Sequence, residues 1–380
     1  MKRQTAAILV IFLTSALSIG GWHLYRNRPE AAQKFSCQIF DTFDTLVTFT
    51  AFAENEAEFD RYRQIVQGEM SRLHRLFDIY HDYENLINVK SLNDAAGTTA
   101  LPVAPAVVEL LEYAKEAYEE TGGAVNVALG PVLEIWHDHR GRALSGDVSV
   151  PSPEDLRAAA TYISPHDIII DHDRSTVLLR HQGMRLDVGA IGKGYAVQKT
   201  IERLQEAGLK SGLINAGGNV VVTGPPLDGR DAWNIGIHAP VDDMNTLTDV
   251  LSLSAGSVVT SGNDQRYYTA AGKRYHHIID PQTLYPTERV KSVSILHPDS
   301  AIADILSTAA FIMPQAEAEK LIARKEAEAF WVLPDDSEII TAGYYRFSKH
   351  RQAPEPKTEM EVAAAAGIVN VLPDGGNDRE

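Results

Sequence analysis

MRLDVGAIGKGYAVQKTIERLQEAGLKSGLINAGGNVVVTG, residues 184–224, carries the pattern that decides the fold. MRLDV reads as a strand. It enters a turn in which Gly189, Gly192 and Gly194 leave the backbone bare of side chains. A helix follows, with Val197, Ile201 and Leu204 on one face. SGLIN and NVVVTG, joined by Ala216-Gly217-Gly218, then read as strand, turn and strand. Here strands arrive in runs between separated helices, unlike the strict alternation of a doubly wound parallel sheet. The expected class is therefore α+β, with mixed, largely antiparallel sheets and packed helices.

The same reading extends outward. Phe40 to Phe52 (FDTFDTLVTFTAF) alternates threonine with large apolar residues, as a strand does. Phe59, Tyr62, Val66, Met70, Leu73 and Phe77 recur at three- and four-residue steps and mark a long amphipathic helix. Asn93-Asp94 and Gly97 mark a loop. A second helix is expected over about 105–121, with proline in its first turn and Gly122-Gly123 at its end. Residues 140–153 read as a surface loop that holds His137-Asp138-His139 at its edge, and a helix follows over about 153–162. DIII and TVLLR flank DHDRS as a hairpin. WNIGIHAP, the run from Leu251 to Thr260, and HHIID continue a strand-rich half. Helices over about 300–313 and 315–328 close the fold before FWVLP.

Composition narrows the function. Asp and Glu number 51 against 35 Lys and Arg, a net charge of -16. Nucleic acid binding needs basic surface to displace counterions, so no nucleic-acid partner is expected. An acidic protein that handles an anion must shield it locally, with a divalent cation or a helix N-terminus. The one cysteine, Cys37, makes neither an internal disulfide nor a Cys-based zinc site. Lys2 and Arg3 precede a stretch without formal charge, residues 4–25, whose length can just span a bilayer. Residues 1–25 are read as an uncleaved signal anchor, the alternative being a cleaved signal peptide. Either implies export, with the remaining chain extracytoplasmic. Residues 26–36 are read as a polar linker, residues 37–348 as one folded domain, and residues 349–380 as a tail expected to be mostly disordered.

Four segments can carry chemistry. In LDVGAIGKG, residues 186–194, a strand end, bare glycines and Lys193 at a helix start let backbone amides and an ammonium approach phosphate oxygens. The segment matches neither the Walker A nor the Rossmann fingerprint, and a glycine turn needs no ligand. Asp304 and Thr308 are four apart on a helix and share a face. Such oxygens suit a hard cation such as Mg²⁺ or Ca²⁺, not zinc; the alternative is a solvent-facing pair. In His276-His277-Ile278-Ile279-Asp280-Pro281, a histidine at a strand end can act as a base, while Asp280-Pro281 is good turn chemistry. Gly217 and Gly218 either close a hairpin or admit a ring or phosphate. Tyr80 and Trp136 either stack on an aromatic ligand or fill the core.

Taken together, these segments resemble the ApbE family of FAD:protein FMN transferases. In the family's order the chain has FDT at 43–45, FDIY at 77–80, VNVALGPVLEIW at 125–136, LDVGAIGKGYA at 186–196, INAGGNV at 214–220, HHIIDP at 276–281 and ADILSTAAF at 303–311. The resemblance implies an enzyme that moves FMN from FAD onto a Thr or Ser of a target protein through a phosphodiester bond, releasing AMP. Some members also hydrolyse FAD to FMN and AMP. It also implies a Mg²⁺ site at the Ala190 carbonyl, Asp304 and Thr308. The implied flavin pocket comprises Tyr80, Asn126, Val127, Ala128, Asp187, Lys193 and His277, with Phe43 where many members have methionine. Asn126-Val127-Ala128 departs from the common Asp-x-Thr, and Asp78-Ile79-Tyr80 from Ser-Thr-Tyr; both touch the ligand region. Lys193 is expected to hold the phosphates. His277 is expected to position the pyrophosphate or accept the hydroxyl proton, and Asp187 to hold the adenosine part or tune the site. Expected partners are exported redox proteins, such as flavin-bearing subunits of membrane electron-transfer complexes.

Overall fold

Phe43 and Asp44 adopt φ of 53° and 50°, the paired left-handed conformation that a two-residue hairpin turn demands. The run expected as one strand is therefore two: β1 (Gln33–Thr42) and β2 (Thr45–Ala53) fold back on each other. Neither Asn nor Gly marks that turn, so alternation ran through it unbroken. The computed structural model describes residues 32–241, 243 and 246–353. The expected anchor at 1–25, residues 26–31 of the linker and residues 354–380 of the tail lie outside the described residues. β1 begins inside the segment expected as linker.

The chain continues through α1 (Glu56–Phe77), α2 (Val89–Asp94), β3 (Leu101–Pro102), α3 (Pro105–Glu120), α4 (Gly130–Leu144) and α5 (Pro153–Ala159). Next come β4 (Ile168–Asp171), β5 (Thr176–Leu179), α6 (Gly192–Glu206), β6 (Gly212–Ala216) and β7 (Asn219–Val222). The strand-rich half holds β8 (Trp233–His238), β9 (Leu247–Leu253), β10 (Gly256–Gly262), β11 (Tyr267–Ala270), β12 (Lys273–His276) and β13 (Ser292–His297). α7 (Ser300–Ile312), α8 (Gln315–Arg324), β14 (Glu328–Val332) and β15 (Glu338–Ile340) close it.

Eight strands form the main sheet in the order β1-β2-β6-β7-β10-β13-β14-β15. Every neighbouring pair is antiparallel, so the expected α+β class holds. The apolar faces of α1, α6 and α7 share one large core with this sheet, through residues such as Met70, Ile201, Phe49 and Phe311. A second core packs Trp233, Ile235 and Leu251 of the β8–β9 ribbon against Val220 and Phe330. A third joins Trp136 of α4 and Leu156 of α5 to Tyr268 and Leu284.

Several local readings change. Residues 184–188 form no regular element and join no sheet. The Asn93 side chain takes the partner's place: its Oδ1 accepts from Leu186 N at 2.6 Å and its Nδ2 donates to Leu186 O at 3.0 Å. A side-chain amide has a peptide's donor and acceptor, so it satisfies this backbone without a strand. The loop expected over 140–153 begins as helix, since α4 runs to Leu144 and carries His137 and His139. The helix expected to reach residue 328 stops at Arg324, and Glu326 at φ 54° turns the chain into β14. The tail expected from Lys349 is still tied down at its start, where Arg351 pairs with Asp249 and Glu338. Among the described residues no helix is long and apolar enough to cross a membrane.

Candidate active site

The start of α6 is closed by its own backbone: Ile191 N and Gly192 N both donate to Val188 O, at 3.1 and 2.8 Å. That closure aims Lys193 across to the β6–β7 turn, where its Nζ donates to Gly217 O at 3.1 Å. Gly217 and Gly218 have φ of 56° and 87°. A Cβ on Gly217 would also lie 2.1 Å from Thr45 Oγ1, so glycine there lets the β1–β2 hairpin abut the turn.

One residue further, the helix start meets α7. Gly194 N donates to Asp304 Oδ2 at 2.7 Å, and a Cβ on Gly194 would stand 2.4 Å from the Asp304 Cβ. Asp304 is buried. Burial pushes its carboxyl up to about 6, against the opposing pull of the Lys193 charge and the Gly194 amide. Burial likewise pushes the Lys193 ammonium down, with Asp304 opposing and Arg266 adding to the effect. Thr308 is half-buried one turn beyond Asp304. Ser307 between them is engaged elsewhere, with its Oγ donating to Asp304 O at 2.9 Å and paired with Ser261 Oγ at 2.8 Å.

The two adjacent histidines have separate jobs. His276 is buried; its Nε2 sits 2.7 Å from Thr287 O, and its Nδ1 accepts from Ile278 N. Both nitrogens are used, so this ring is structural. His277 has a buried Nδ1 with no hydrogen-bond partner. Burial pushes its pKa down to about 3, helped by the charges of Arg266, His276, Arg140 and Lys193. It is a neutral imidazole held among cations, with a nitrogen to spare.

The charge of Asp187 acts on Tyr80 and His137. Asp187 N donates to Val127 O at 2.8 Å, and its Oδ1 accepts from Gly189 N at 2.8 Å. The triplet Asn126, Val127 and Ala128 thus supports Asp187 through the backbone. Val127 and Ala128 are buried. Asn126 spends its side chain on Ala128 N and Ile163 O, both at 2.9 Å. Tyr80 is 56% exposed, and its hydroxyl meets His137 Nδ1 of α4 at 3.2 Å. Burial around that hydroxyl and the charge of Asp187 push its pKa up to about 12. Phe43, in the hairpin turn, is half-buried edge-on to His74, 5.5 Å between ring centres. Trp136 is core: its indole N–H donates to Leu284 O at 3.0 Å and its ring stacks on Tyr275.

Arg140 and Arg266 were not singled out in the sequence. The charges of both act on Tyr80, His137 and His277. Burial and Arg266 together hold the Arg140 guanidinium below its ordinary range. Tyr267 pairs with His276, so Arg266 enters the β11–β12 hairpin where His277 leaves it. Counting back from the Gly272 turn would have found that pairing. Arg140 was missed because its position was taken for loop.

Among the described residues no three His, Cys, Asp or Glu side chains converge as a metal site. Any cation here must draw on one carboxylate plus hydroxyl and carbonyl oxygens, a hard-cation donor set. Bare glycines at a helix start, one lysine and two arginines whose charges reach His277, and the unpaired His277 Nδ1 thus come together on an antiparallel α+β scaffold.

Residues 43–331 match the ApbE family, and the chain belongs to it. It is 33% identical over 281 residues to a FAD:protein FMN transferase of Klebsiella pneumoniae (strain 342), covering 70% of this chain and 84% of that protein. It is 36% identical over 267 residues to the FAD:protein FMN transferase of Treponema pallidum (strain Nichols), covering 67% and 72%. The crystal structure of the ApbE protein of Thermotoga maritima superposes with a TM-score of 0.74 at 27% identity, covering 84% of this chain and all of that one.

Proposed function

We propose that this protein transfers FMN from FAD to a Thr or Ser hydroxyl of a target protein, releasing AMP. The observation that carries the reading is the junction of α6 and α7. There Lys193, the helix-start amides and the buried Asp304 meet within one turn of each other. The residues fit Mg²⁺: Asp304 has been taken out of water with one amide donor, and Thr308 and the Ala190 carbonyl would add hard oxygens. Bound Mg²⁺ would supply Lewis-acid polarisation of the phosphate oxygens.

The chain's own residues would do the rest. The Lys193 ammonium holds the diphosphate; Arg140 and Arg266 offset its charge. The acceptor oxygen bonds to the FMN phosphorus, the bond to the AMP oxygen breaks, and AMP departs. His277 positions the diphosphate or takes the hydroxyl proton. In the free protein its low pKa makes it a weak base. An anion that neutralises the surrounding arginines and lysine would raise it toward a useful range. Tyr80 and Phe43 would flank the flavin, and Asp187 would hold the adenosine part. Gly217 and Gly218 would admit the ligand beside Lys193. Water in place of the hydroxyl would give FAD hydrolysis by the same residues.

The N-terminal segment supports a membrane-anchored enzyme whose catalytic domain faces outward. Its targets would be exported redox proteins. The test is incubation with FAD, Mg²⁺ and candidate exported acceptors. A fluorescent covalent adduct with one AMP per adduct is expected. AMP and free FMN without adduct would point to hydrolysis, and FAD binding without AMP under any acceptor would sink both in favour of a non-catalytic flavin-binding protein.

A further inference from the structure

We infer that Asp78 is a positioning residue for Tyr80, acting on flavin binding through that ring; the inference rests on the FAD reading above. Asp78 is the C-cap of the 22-residue helix α1. A carboxylate there faces the negative end of the helix dipole, the less favourable place for it. It is nonetheless buried, 7% exposed. Four donors hold it. Oδ1 accepts from Tyr80 N at 2.7 Å and His81 N at 3.2 Å. Oδ2 accepts from His81 Nδ1 at 2.9 Å and the Tyr83 hydroxyl at 2.7 Å. Burial alone would raise this carboxyl's pKa, yet the donors bring it below the ordinary range.

The geometry wraps residues 78–83 around one side chain, with Tyr80 on the crown. An aromatic ring more than half exposed has little packing to choose its rotamer. Here the backbone beneath it is held by Asp78, and the hydroxyl at its tip by His137 on the opposite wall. A helix C-terminus leaves carbonyls that need donors, so the Asp78 carboxylate caps nothing there. Its two oxygens instead gather Tyr80 N, His81 and Tyr83, and so fix where the turn presents Tyr80. A serine at this position, common in the family, has one oxygen and cannot reach four donors.

The experiment titrates FAD, without divalent cation, into the full-length protein and into D78A, D78N, Y83F, Y80A and the D78A/Y80A double variant. Visible absorption of the flavin is the readout. D78A is expected to raise the FAD Kd about tenfold and to shrink the absorption change at saturation to that of Y80A. D78N keeps the acceptor for the two amides and is expected to recover most of the affinity. Y83F removes one donor without touching the turn's backbone and should fall between. D78A/Y80A should bind no worse than Y80A, because the two act as one. Should D78A fail to fold, D78N and Y83F carry the test. Wild-type Kd and spectra in D78A and Y83F, or additive losses in the double variant, would overturn the inference while leaving the FAD reading intact. A wild-type protein that binds no FAD would overturn both.

Discussion

Gly194→Ala should destabilise this protein although the backbone at 194 would accept alanine. Gly194 lies in helix α6 and is not among the positive-φ glycines. Replacing glycine by alanine in a helix ordinarily gains about 1 kcal/mol. Here the added Cβ would stand 2.4 Å from Asp304 Cβ, 2.6 Å from Ser300 O and 2.9 Å from Asp304 Oδ2. Two of these atoms belong to α7 near its backbone, so α6 and α7 must separate. Overpacking of this kind costs about 1–3 kcal/mol. The separation also breaks the 2.7 Å bond from Gly194 N to Asp304, and a hydrogen bond to a charged group is worth about 1.5–3 kcal/mol. Subtracting the propensity gain leaves a loss of roughly 1.5–5 kcal/mol. Urea unfolding of the two proteins, side by side, measures it. The same displacement should weaken Mg²⁺ binding, read by calorimetry. An alanine variant as stable as wild type, with Mg²⁺ affinity unchanged, would show that the approach of the two helices is not what sets Asp304 in place.

The other perturbations separate ligand binding from folding. Asp304→Asn should abolish Mg²⁺-dependent turnover, yet unfold in metal-free urea titrations at no lower a midpoint than wild type, because it removes a buried charge and keeps an acceptor for Gly194 N. Loss of both activity and stability would make Asp304 a structural residue. Arg266→Ala should raise the KM for FAD about tenfold, flatten its salt dependence and leave the unfolding midpoint unchanged, since Arg266 is exposed; an unchanged KM would remove it from the site. His277 gives a pH prediction. Its folded pKa of about 3 lies below the usual unfolded value of about 6.5. The unfolded chain therefore binds the proton first on acidification. Its contribution is whole above pH about 6.5 and is lost as pH falls toward 3, by up to about 1.4 kcal/mol per unit. His276, also depressed by burial, acts in the same direction. His277→Gln should shallow the fall in urea midpoint between pH 6.5 and 4; an identical pH profile would contradict the buried neutral state.

What was legible in the sequence follows from range. Helix period alone put Asp304 and Thr308 on one face, and α7 realises that spacing. The SGLIN-AGG-NVVVTG hairpin was readable because Gly217-Gly218 supply the positive φ that such a turn needs. The Phe43-Asp44 turn was not, because there bulky residues adopt that conformation under tertiary constraint and leave no local mark. The MRLDV segment looked like a strand but joins no sheet, and the partner of Leu186 is the Asn93 side chain, 93 residues away; no window on the sequence contains both. Asp78 appeared only as a departure from a common motif, since its four donors become visible when the turn closes. Arg140 and Arg266 needed the register of a hairpin and the true end of a helix before they could be placed together.

The site lies where two separately packed clusters meet, and this gives its charges a reason. Ile278 belongs to the large core under the main sheet, and Ile279, the next residue, to the cluster built on α4 and β11. His277 precedes both, at the seam. Lys193 and Asp304 come from the main-sheet side; Arg140 and Arg266 come from the other. Without a ligand, three cations of one sign face each other across that seam in a protein whose net charge is -16. Burial depresses the pKa values of Arg140, Lys193 and His277, and the charge of Arg266 adds to each. A dianionic diphosphate would remove the repulsion, tie the two clusters together and restore basicity to His277 in a single step. On the proposed reading, the charges that would recruit the anion add to burial in holding the His277 pKa down until it arrives. The link already crossing the seam, from Tyr80 to His137, lies in the same field of Arg140 and Arg266, with Asp187 opposing it. Flavin and diphosphate would thus be sensed by one electrostatic unit, although the residues that form it are spread over more than two hundred positions of the chain.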